Sequence, residues 1–248
     1  MSVLQANVVP HVHRLGSSLV NWYVVADGDR LTVVDAGLPR FTRELERDLH
    51  ELGHRTGDVE AVLLTHSDAD HTGVAAALRD AGARVYIHGY DQETLARPGP
   101  KGGDARMGNA VRQLWRPQAW RTLGHMARNG GGRPTRIEGP ELFADGDELD
   151  VPGRPLVVHT PGHTPGHCAF VFADRGALFA GDALCTFNPL SGRRGPQPLP
   201  YALNVSTTEA HASLGRLAEQ EAKVTLPGHG EPWHGPPATL VRRARTAA

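Results

Sequence analysis

Between Leu63 and Gly73 the chain reads LLTHSDADHTG, which places His66, Asp68, Asp70 and His71 within six positions. Imidazoles and carboxylates together form the donor set of a divalent-cation site. Two neighbouring carboxylates without a cation would raise at least one pKa and cost stability. Asp and Ser are also ordinary turn residues, so this cluster alone is equally compatible with a solvated loop. Three other places repeat the pattern of an apolar run ending on such a residue: His163 after PLVVHTPG, Asp182 after GALFAG, and His229 after KVTLPG. Strand ends hold side chains on a rigid scaffold while the following loops leave room for a ligand. His66, Asp68 and Asp70 are two apart, so in extended backbone they point the same way, and His71 begins a turn toward a neighbouring point. A loop of this kind can feed two adjacent cations with separate ligands.

The elements that must carry these residues follow from periodicity. From Val3 to Asp35 the runs VVPHVHRL, LVNWYVVA and RLTVVDAG read as a β meander. Phe41 to Leu52 has helical spacing, AVLLT from Ala61 is a short buried strand, VAAALRDAG is a small helix, and ARVYIHG is another strand. That alternation marks layered α and β structure. Residues 97–136 break the rhythm, with Gly- and Pro-rich ends around a helical stretch that Pro117 should kink or split, and read as an inserted lid. Beyond it, ELFADGDELDV reads as a hairpin, RPLVVHT as a strand, and HCAFVFADRGALFAGD as two strands around a turn. CTFNPLSGRRGPQPLPYALN is too rich in proline for regular structure, and a helix from Thr207, the strand KVTLP and a closing helix from Pro237 follow. Each half runs strands first and then helix, which suggests a pseudo-duplicated sandwich of two sheets.

Composition narrows the function classes. The 248 residues, 40% of them hydrophobic, suit one substantial core, and a net charge of −1 gives no general nucleic-acid or membrane surface. The N-terminus shows no secretory pattern, which gives the expectation of a cytoplasmic protein with no membrane partner. Cys168 and Cys185 lie in no metal or redox spacing and read as buried thiols. Charge is unevenly spread: residues 97–136 hold nine Lys or Arg and one acid, Asp104. This basic segment is either a solvated face or an attractor for an anionic substrate. Trp115 and Trp120 within it either line a pocket or pack the lid onto the core. The histidines outside the four strand ends, His125 among them, read as surface or satisfied core residues.

The ordered set VDAG, THSDADH, PGHTPGH, GDA and PGHG resembles the metallo-β-lactamase superfamily over nearly the whole chain. That resemblance implies an α/β fold of the α+β kind: a four-layer αββα sandwich of two mixed β-sheets with helices outside, forming a single domain over 1–248 with the lid at about 97–136. It also implies two divalent metal ions at one sandwich edge. One would take His66, Asp68 and His163, the other Asp70, His71 and His229, with Asp182 bridging them. Asp35 of VDAG would support the metal-binding loop without ligating, and His167 would support the site from beside His163. The motif here is H-x-D-x-D-H, whereas the family pattern is H-x-H-x-D-H. A carboxylate at position 68 adds a negative charge and shifts preference from zinc toward iron or manganese; alternatively Asp68 is too short to reach an ion, leaving one strong site at Asp70, His71, Asp182 and His229.

Two such ions lower the pKa of a bridging water until hydroxide forms near neutrality, and they polarise the oxygen under attack. The expected activity is therefore hydrolysis of a small anionic ester, lactone or thioester, with Asp70 as the catalytic residue that orients the nucleophile and helps protonate the leaving group. Arg193 and Arg194 suit a carboxylate or phosphate on the substrate, and Tyr201, the tyrosine nearest Asp182 in sequence, is the candidate oxyanion donor. The partner is a small molecule and not nucleic acid. Asp68 leaves two alternatives open: an iron-dependent oxidoreductase resembling the flavodiiron branch or a persulfide dioxygenase, and a metal-binding protein without activity.

Overall fold

The computed structural model describes residues 4–247, so Val3, the expected start of the meander, lies outside the described residues. The expected meander forms four antiparallel strands, β1 (Gln5–Val9), β2 (Val12–Gly16), β3 (Asn21–Asp27) and β4 (Arg30–Val34). The run VVPHVHRL is two strands, because the backbone turns at Pro10 and His11, where φ is +64°. β5 (Val59–Leu63), β6 (Arg84–His88) and β7 (Glu141–Phe143) extend this sheet in parallel, giving seven strands in sequence order. A second sheet contains β8 (Leu156–His159), β9 (Cys168–Phe172) and β10 (Ala177–Gly181). It is completed by β13 (Val224–Pro227) and β14 (Trp233–His234), in the order β14-β13-β10-β9-β8.

The period-2 alternation of strand side chains divides the apolar residues among three interfaces. Tyr23, Val25, Val34, Ala61 and Leu63 face Phe170, Phe172, Phe179 and Leu226 between the two sheets. Val24, Val33 and Val62 face the other way, onto Leu45 and Leu49 of α1 (Thr42–Glu51) and Leu78 of α2 (Ala75–Asp80). On the far side, Ala169, Val171 and Leu178 pack against α6 (Thr207–Ala218) and α7 (Pro237–Thr246) through Leu214, Leu217, Leu240 and Val241. The result is the expected αββα stack of two mixed sheets with helices outside. Cys168 and Cys185 are buried free thiols. Among the described residues no helix is long and apolar enough to cross a membrane.

Between β6 and β7 lie α3 (Gln92–Ala96), α4 (Met107–Val111) and α5 (Pro117–Arg128). The stretch is split at Pro117, which takes the first turn of α5, where its missing N–H costs nothing. Trp115 and Trp120 do neither thing expected of them: both are exposed, with Arg116 over the Trp115 ring and the Trp120 indole donating to the Leu114 carbonyl at 2.7 Å. ELFADGDELDV is not a hairpin. Its first residues join β6 (Tyr86 opposite Glu141), and one bridge, Glu148 to Leu156, reaches the other sheet. Phe143 decides this by burying its ring between the sheets. The proline-rich loop is more regular than its composition suggests. β11 (Cys185–Phe187) and β12 (Arg194–Gln197) pair antiparallel as a small third sheet, its pairing anchored by buried Cys185 and Gln197.

Candidate metal centre

The parallel pairs β4/β5 and β10/β13 both end at one edge of the sandwich, and β8 runs into a loop at the same edge. That shared edge brings Asp35, the His66–His71 loop, His163, Asp182 and His229 together from five strand ends. The stretch after His66 is not extended throughout, since the amides of His71 and Thr72 both donate to the Asp68 carbonyl, at 3.0 and 3.1 Å. This turn sends Asp70 away from Asp68 and groups it with His71 and His229.

Two donor sets result, one of Asp70, His71 and His229 and one of His66, Asp68 and His163, while a third grouping joins His66 and His71 to Asp182. In the first, His71 Nε2 stands 3.9 Å from Asp70 Oδ2 and 3.5 Å from Asp182 Oδ1. His229 Nε2 stands 3.8 Å from Asp70 Oδ2 and 3.1 Å from Asp182 Oδ2. Donors each about 2.0–2.2 Å from a common ion would be roughly 3.3–3.6 Å apart; the separations here bracket that range, from 3.1 to 3.9 Å, with Asp182 turning Oδ1 to His71 and Oδ2 to His229. Among the described residues, the buried atoms His66 Nε2, His71 Nε2 and Asp182 Oδ1 have no hydrogen-bond partner. Buried polar atoms left in this way are costly unless a cation takes their lone pairs.

Each imidazole is oriented from behind. The Asp35 carboxylate lies 2.8 Å from His71 Nδ1 and also accepts from the Thr65 amide at 2.8 Å and the Thr65 hydroxyl at 2.9 Å. His229 Nδ1 donates to the Leu19 carbonyl at 2.6 Å, and His163 Nδ1 donates to Asn204 Oδ1 at 3.2 Å. In every case Nε2 is turned toward the centre, as a ligand must be. His167 lies beside this cluster. Its Nε2 accepts from the Asp182 amide at 2.9 Å and its Nδ1 faces the Thr160 hydroxyl at 2.8 Å, while burial holds the ring neutral. Asp91, which carried no sequence signal, ties two loops by accepting from the amides of Ser67 (3.0 Å) and Gly166 (2.8 Å).

Without metal the centre is strongly polarised. Burial works against the charged form of His71, yet Asp35, Asp182 and Asp70 raise its pKa to about 10. Burial likewise opposes charge on His229, and Asp182 raises it to about 9. Burial would raise Asp182, but His229 and His71 hold it well below the usual carboxylate range.

The His66/Asp68/His163 set is different, because a lysine already sits in it. Lys101 Nζ lies 2.5 Å from Asp68 Oδ2, 3.0 Å from His163 Nε2 and 3.3 Å from the Leu203 carbonyl oxygen. Burial alone would raise the Asp68 carboxyl, but the Lys101 ammonium draws it well below the usual range. As it stands, the ammonium takes the place of a second ion between Asp68 and His163, while His66 Nε2 keeps no hydrogen-bond partner among the described residues. In the sequence Lys101 belongs to a general basic segment; the available signal was that it is one of only two lysines among 26 basic residues.

Above the donors lies a cavity of about 190 Å³, walled by Leu19, Val20, Met126, Leu190 and Leu203, with Asp70, Asp182 and His229 also lining it. α5 contributes Thr122, His125 and Met126. His125, expected as a surface or satisfied core residue, is part-buried with its Nε2 3.1 Å from the Ser17 hydroxyl, and it also lines the cavity. Three residues expected at the substrate are elsewhere. Tyr201 is exposed and accepts from Gln113 at 3.3 Å, Arg193 donates to the Ala247 carbonyl, and Arg194 lies over the Phe187 ring. The β11–β12 pair carries the two arginines away from Asp182 despite their closeness in sequence.

The sequence profile of the metallo-β-lactamase superfamily matches residues 15–229. The chain belongs to this superfamily. Among curated relatives of this superfamily member, the protein YobT of Bacillus subtilis (strain 168) is 29% identical, over 86% of this chain and 83% of its own. The probable metallo-hydrolase YqjP of the same organism is 26% identical, over 95% and 74%. Hydroxyacylglutathione hydrolase GloC of Haemophilus influenzae is 25% identical, over 64% and 63%. Among solved structures, a metallo-β-lactamase family protein of Thermus thermophilus superposes with a TM-score of 0.67 at 27% identity, covering 97% of this chain and 79% of that one. A metallo-β-lactamase from Cronobacter sakazakii gives 0.69 at 21% identity, covering 97% and 93%, and shares the fold.

Proposed function

We propose that this superfamily member is a metal-dependent hydrolase that cleaves the acyl bond of a small ester, lactone or thioester. The observation that carries the reading is the convergence of unpartnered buried donors, His71 Nε2 and Asp182 Oδ1, with Asp70 and His229 at the floor of an apolar cavity. A divalent ion bound by Asp70, His71, Asp182 and His229 would supply Lewis acidity toward a carbonyl oxygen and lower the pKa of water. Asp70 keeps an exposed edge on the cavity, where its carboxylate orients a water toward the carbonyl carbon and passes the proton to the leaving atom. Leu19, Val20, Met126 and Leu190 exclude bulk water from that exchange.

Among the described residues, no arginine lines the cavity. The substrate is therefore read as an acyl bond between largely apolar groups rather than the carboxylate- or phosphate-bearing ester that the basic segment suggested. The cavity's size suits a small molecule and not a polymer. Relatives named as a probable metallo-hydrolase and a hydroxyacylglutathione hydrolase support the reaction class. The oxidoreductase alternative required Asp68 to face an ion, and Asp68 faces Lys101 instead.

The test is steady-state turnover of a panel of aryl esters, lactones and acyl thioesters of graded chain length. The protein is assayed as purified, after chelation, and after return of a single divalent metal. Chelation should abolish turnover, metal should restore it, and Asp70→Asn should lower kcat by about 10²-fold or more. Turnover equal in chelated and metal-loaded protein would refute the proposal, and tight metal binding with no turnover on the whole panel would favour an inert metal-binding protein.

A further inference from the structure

We infer that Lys101 is a built-in cation, its ammonium taking the place of one metal ion so that the centre holds a single divalent ion at Asp70, His71, Asp182 and His229. The inference rests on the metal centre proposed above and is independent of the reaction assigned to it.

The stereochemistry is that of a filled position. An ammonium has three N–H donors and no acceptor. Here it meets three acceptors, Asp68 Oδ2, His163 Nε2 and the Leu203 carbonyl, at 2.5, 3.0 and 3.3 Å. His163 can accept because its proton is on Nδ1, donated to Asn204, whose own amide donates to the Leu199 carbonyl at 3.4 Å. His163 Nε2 and Asp68 Oδ2 are 3.0 Å apart, and with the imidazole proton on Nδ1 toward Asn204 the two face each other as acceptors across the ammonium they share. Lys101 supplies it. A guanidinium would be planar and too broad for this role, whereas the compact ammonium is the side-chain cation closest to a metal ion in shape. That the position is lysine is informative in a chain whose basic residues are almost all arginine.

The loop is built to deliver it. Just after Lys101, Gly103 adopts φ +61° and packs so tightly on the Val205 carbonyl oxygen that a Cβ would come within 1.9 Å of it. The Asp104 amide donates to that same carbonyl at 3.1 Å, and the Asp104 carboxylate accepts from the Thr207 amide at 3.0 Å. The segment gripped in this way also holds His163, through the Val205 amide on the His163 carbonyl at 3.1 Å and the Ser206 amide on the Gly162 carbonyl at 2.8 Å. Lys101 and the imidazole it contacts are therefore fixed to one another.

Charge accounts for the carboxylate at position 68. Among the carboxylates facing the donors, Asp68, Asp70 and Asp182 bring three negative charges, the sum that one divalent ion and one ammonium carry, while Asp35 stands behind His71. Asp68 of the H-x-D-x-D-H motif and Lys101 form one ion pair, 2.5 Å apart.

The experiment is elemental analysis of the whole protein, purified without added metal and again after incubation with excess zinc and desalting. The wild type should retain one ion per chain in both preparations. Lys101→Met, which removes the charge and keeps much of the length, should retain two after zinc loading, and cobalt titration should change from one absorption phase to two. Wild type retaining two ions would overturn the inference, as would Lys101→Met folding normally and still holding one. If Lys101→Met fails to fold, the wild-type count decides alone. None of these readouts uses turnover, so failure of the hydrolase reading would be seen separately.

Discussion

Asp35→Asn isolates the mechanism by which the fold prepares a ligand. Asp35 is buried in the left-handed region at φ +60°, a conformation that Asn tolerates at least as well, so the exchange adds no backbone strain. It is also nearly isosteric. What changes is the hydrogen-bond inventory: the carboxylate accepts from the Thr65 amide and hydroxyl and from His71 Nδ1, whereas an amide has one acceptor atom. If that atom stays with the Thr65 amide, the amide NH2 faces His71 Nδ1 and forces the imidazole proton onto Nε2, the atom that must bind the ion. Losing an orienting partner of this kind lowers metal affinity by about 10–100-fold, equivalent to about 1.4–2.8 kcal/mol. Calorimetric zinc titration of wild type and variant measures it, with circular dichroism confirming that the fold is kept. An affinity unchanged within about twofold, in a folded variant, would refute the claim that Asp35 sets the His71 tautomer.

Three more outcomes follow from the same geometry. In chelated protein, protonated His71 and His229 pair with carboxylates, and their pKa values are raised from 6.5 to about 10 and about 9. That stabilisation is fully present below about pH 6.5 and lost as pH climbs through 9 and 10. The urea midpoint of the chelated protein should therefore fall between pH 7 and 10, and less steeply in Asp35→Asn. Gly228→Ala would place a Cβ 2.3 Å from Asp182 Oδ1 and 2.6 Å from His71 Cε1, so zinc affinity should drop by at least about tenfold, read by competition with a chelating dye. His167→Ala leaves the Asp182 amide and the Thr160 hydroxyl unpaired beside a new cavity. Its unfolding free energy in urea should fall by about 2–5 kcal/mol.

The ligand candidates were legible because each follows an apolar strand, and strand ends in a layered fold converge on one edge. His66, His163, Asp182 and His229 needed no knowledge of the loops between them. Lys101 was not legible in the same way. It sits in an irregular segment, and its approach depends on Gly103 resting against Val205, a contact between residues a hundred positions apart. Arg193, Arg194 and Tyr201 were placed near the site by closeness to Asp182 in sequence, which the β11–β12 pairing undoes. The 141–151 stretch misled for a related reason. Local alternation says that a segment is a strand but not which sheet takes it, and the burial of Phe143 chose the sheet opposite to a hairpin's.

Hydrolysis and the role of Lys101 both require one ion bound where Asp70, His71, Asp182 and His229 meet. Anomalous difference scattering, collected above and below the absorption edge of the metal found in crystals grown without added metal, locates that ion without reference to activity. One peak per chain is expected, within about 2.0–2.2 Å of His71 Nε2 and His229 Nε2, with Lys101 still on Asp68. No peak between those imidazoles in metal-replete crystals, or a peak at Asp68 in place of the Lys101 ammonium, would contradict it.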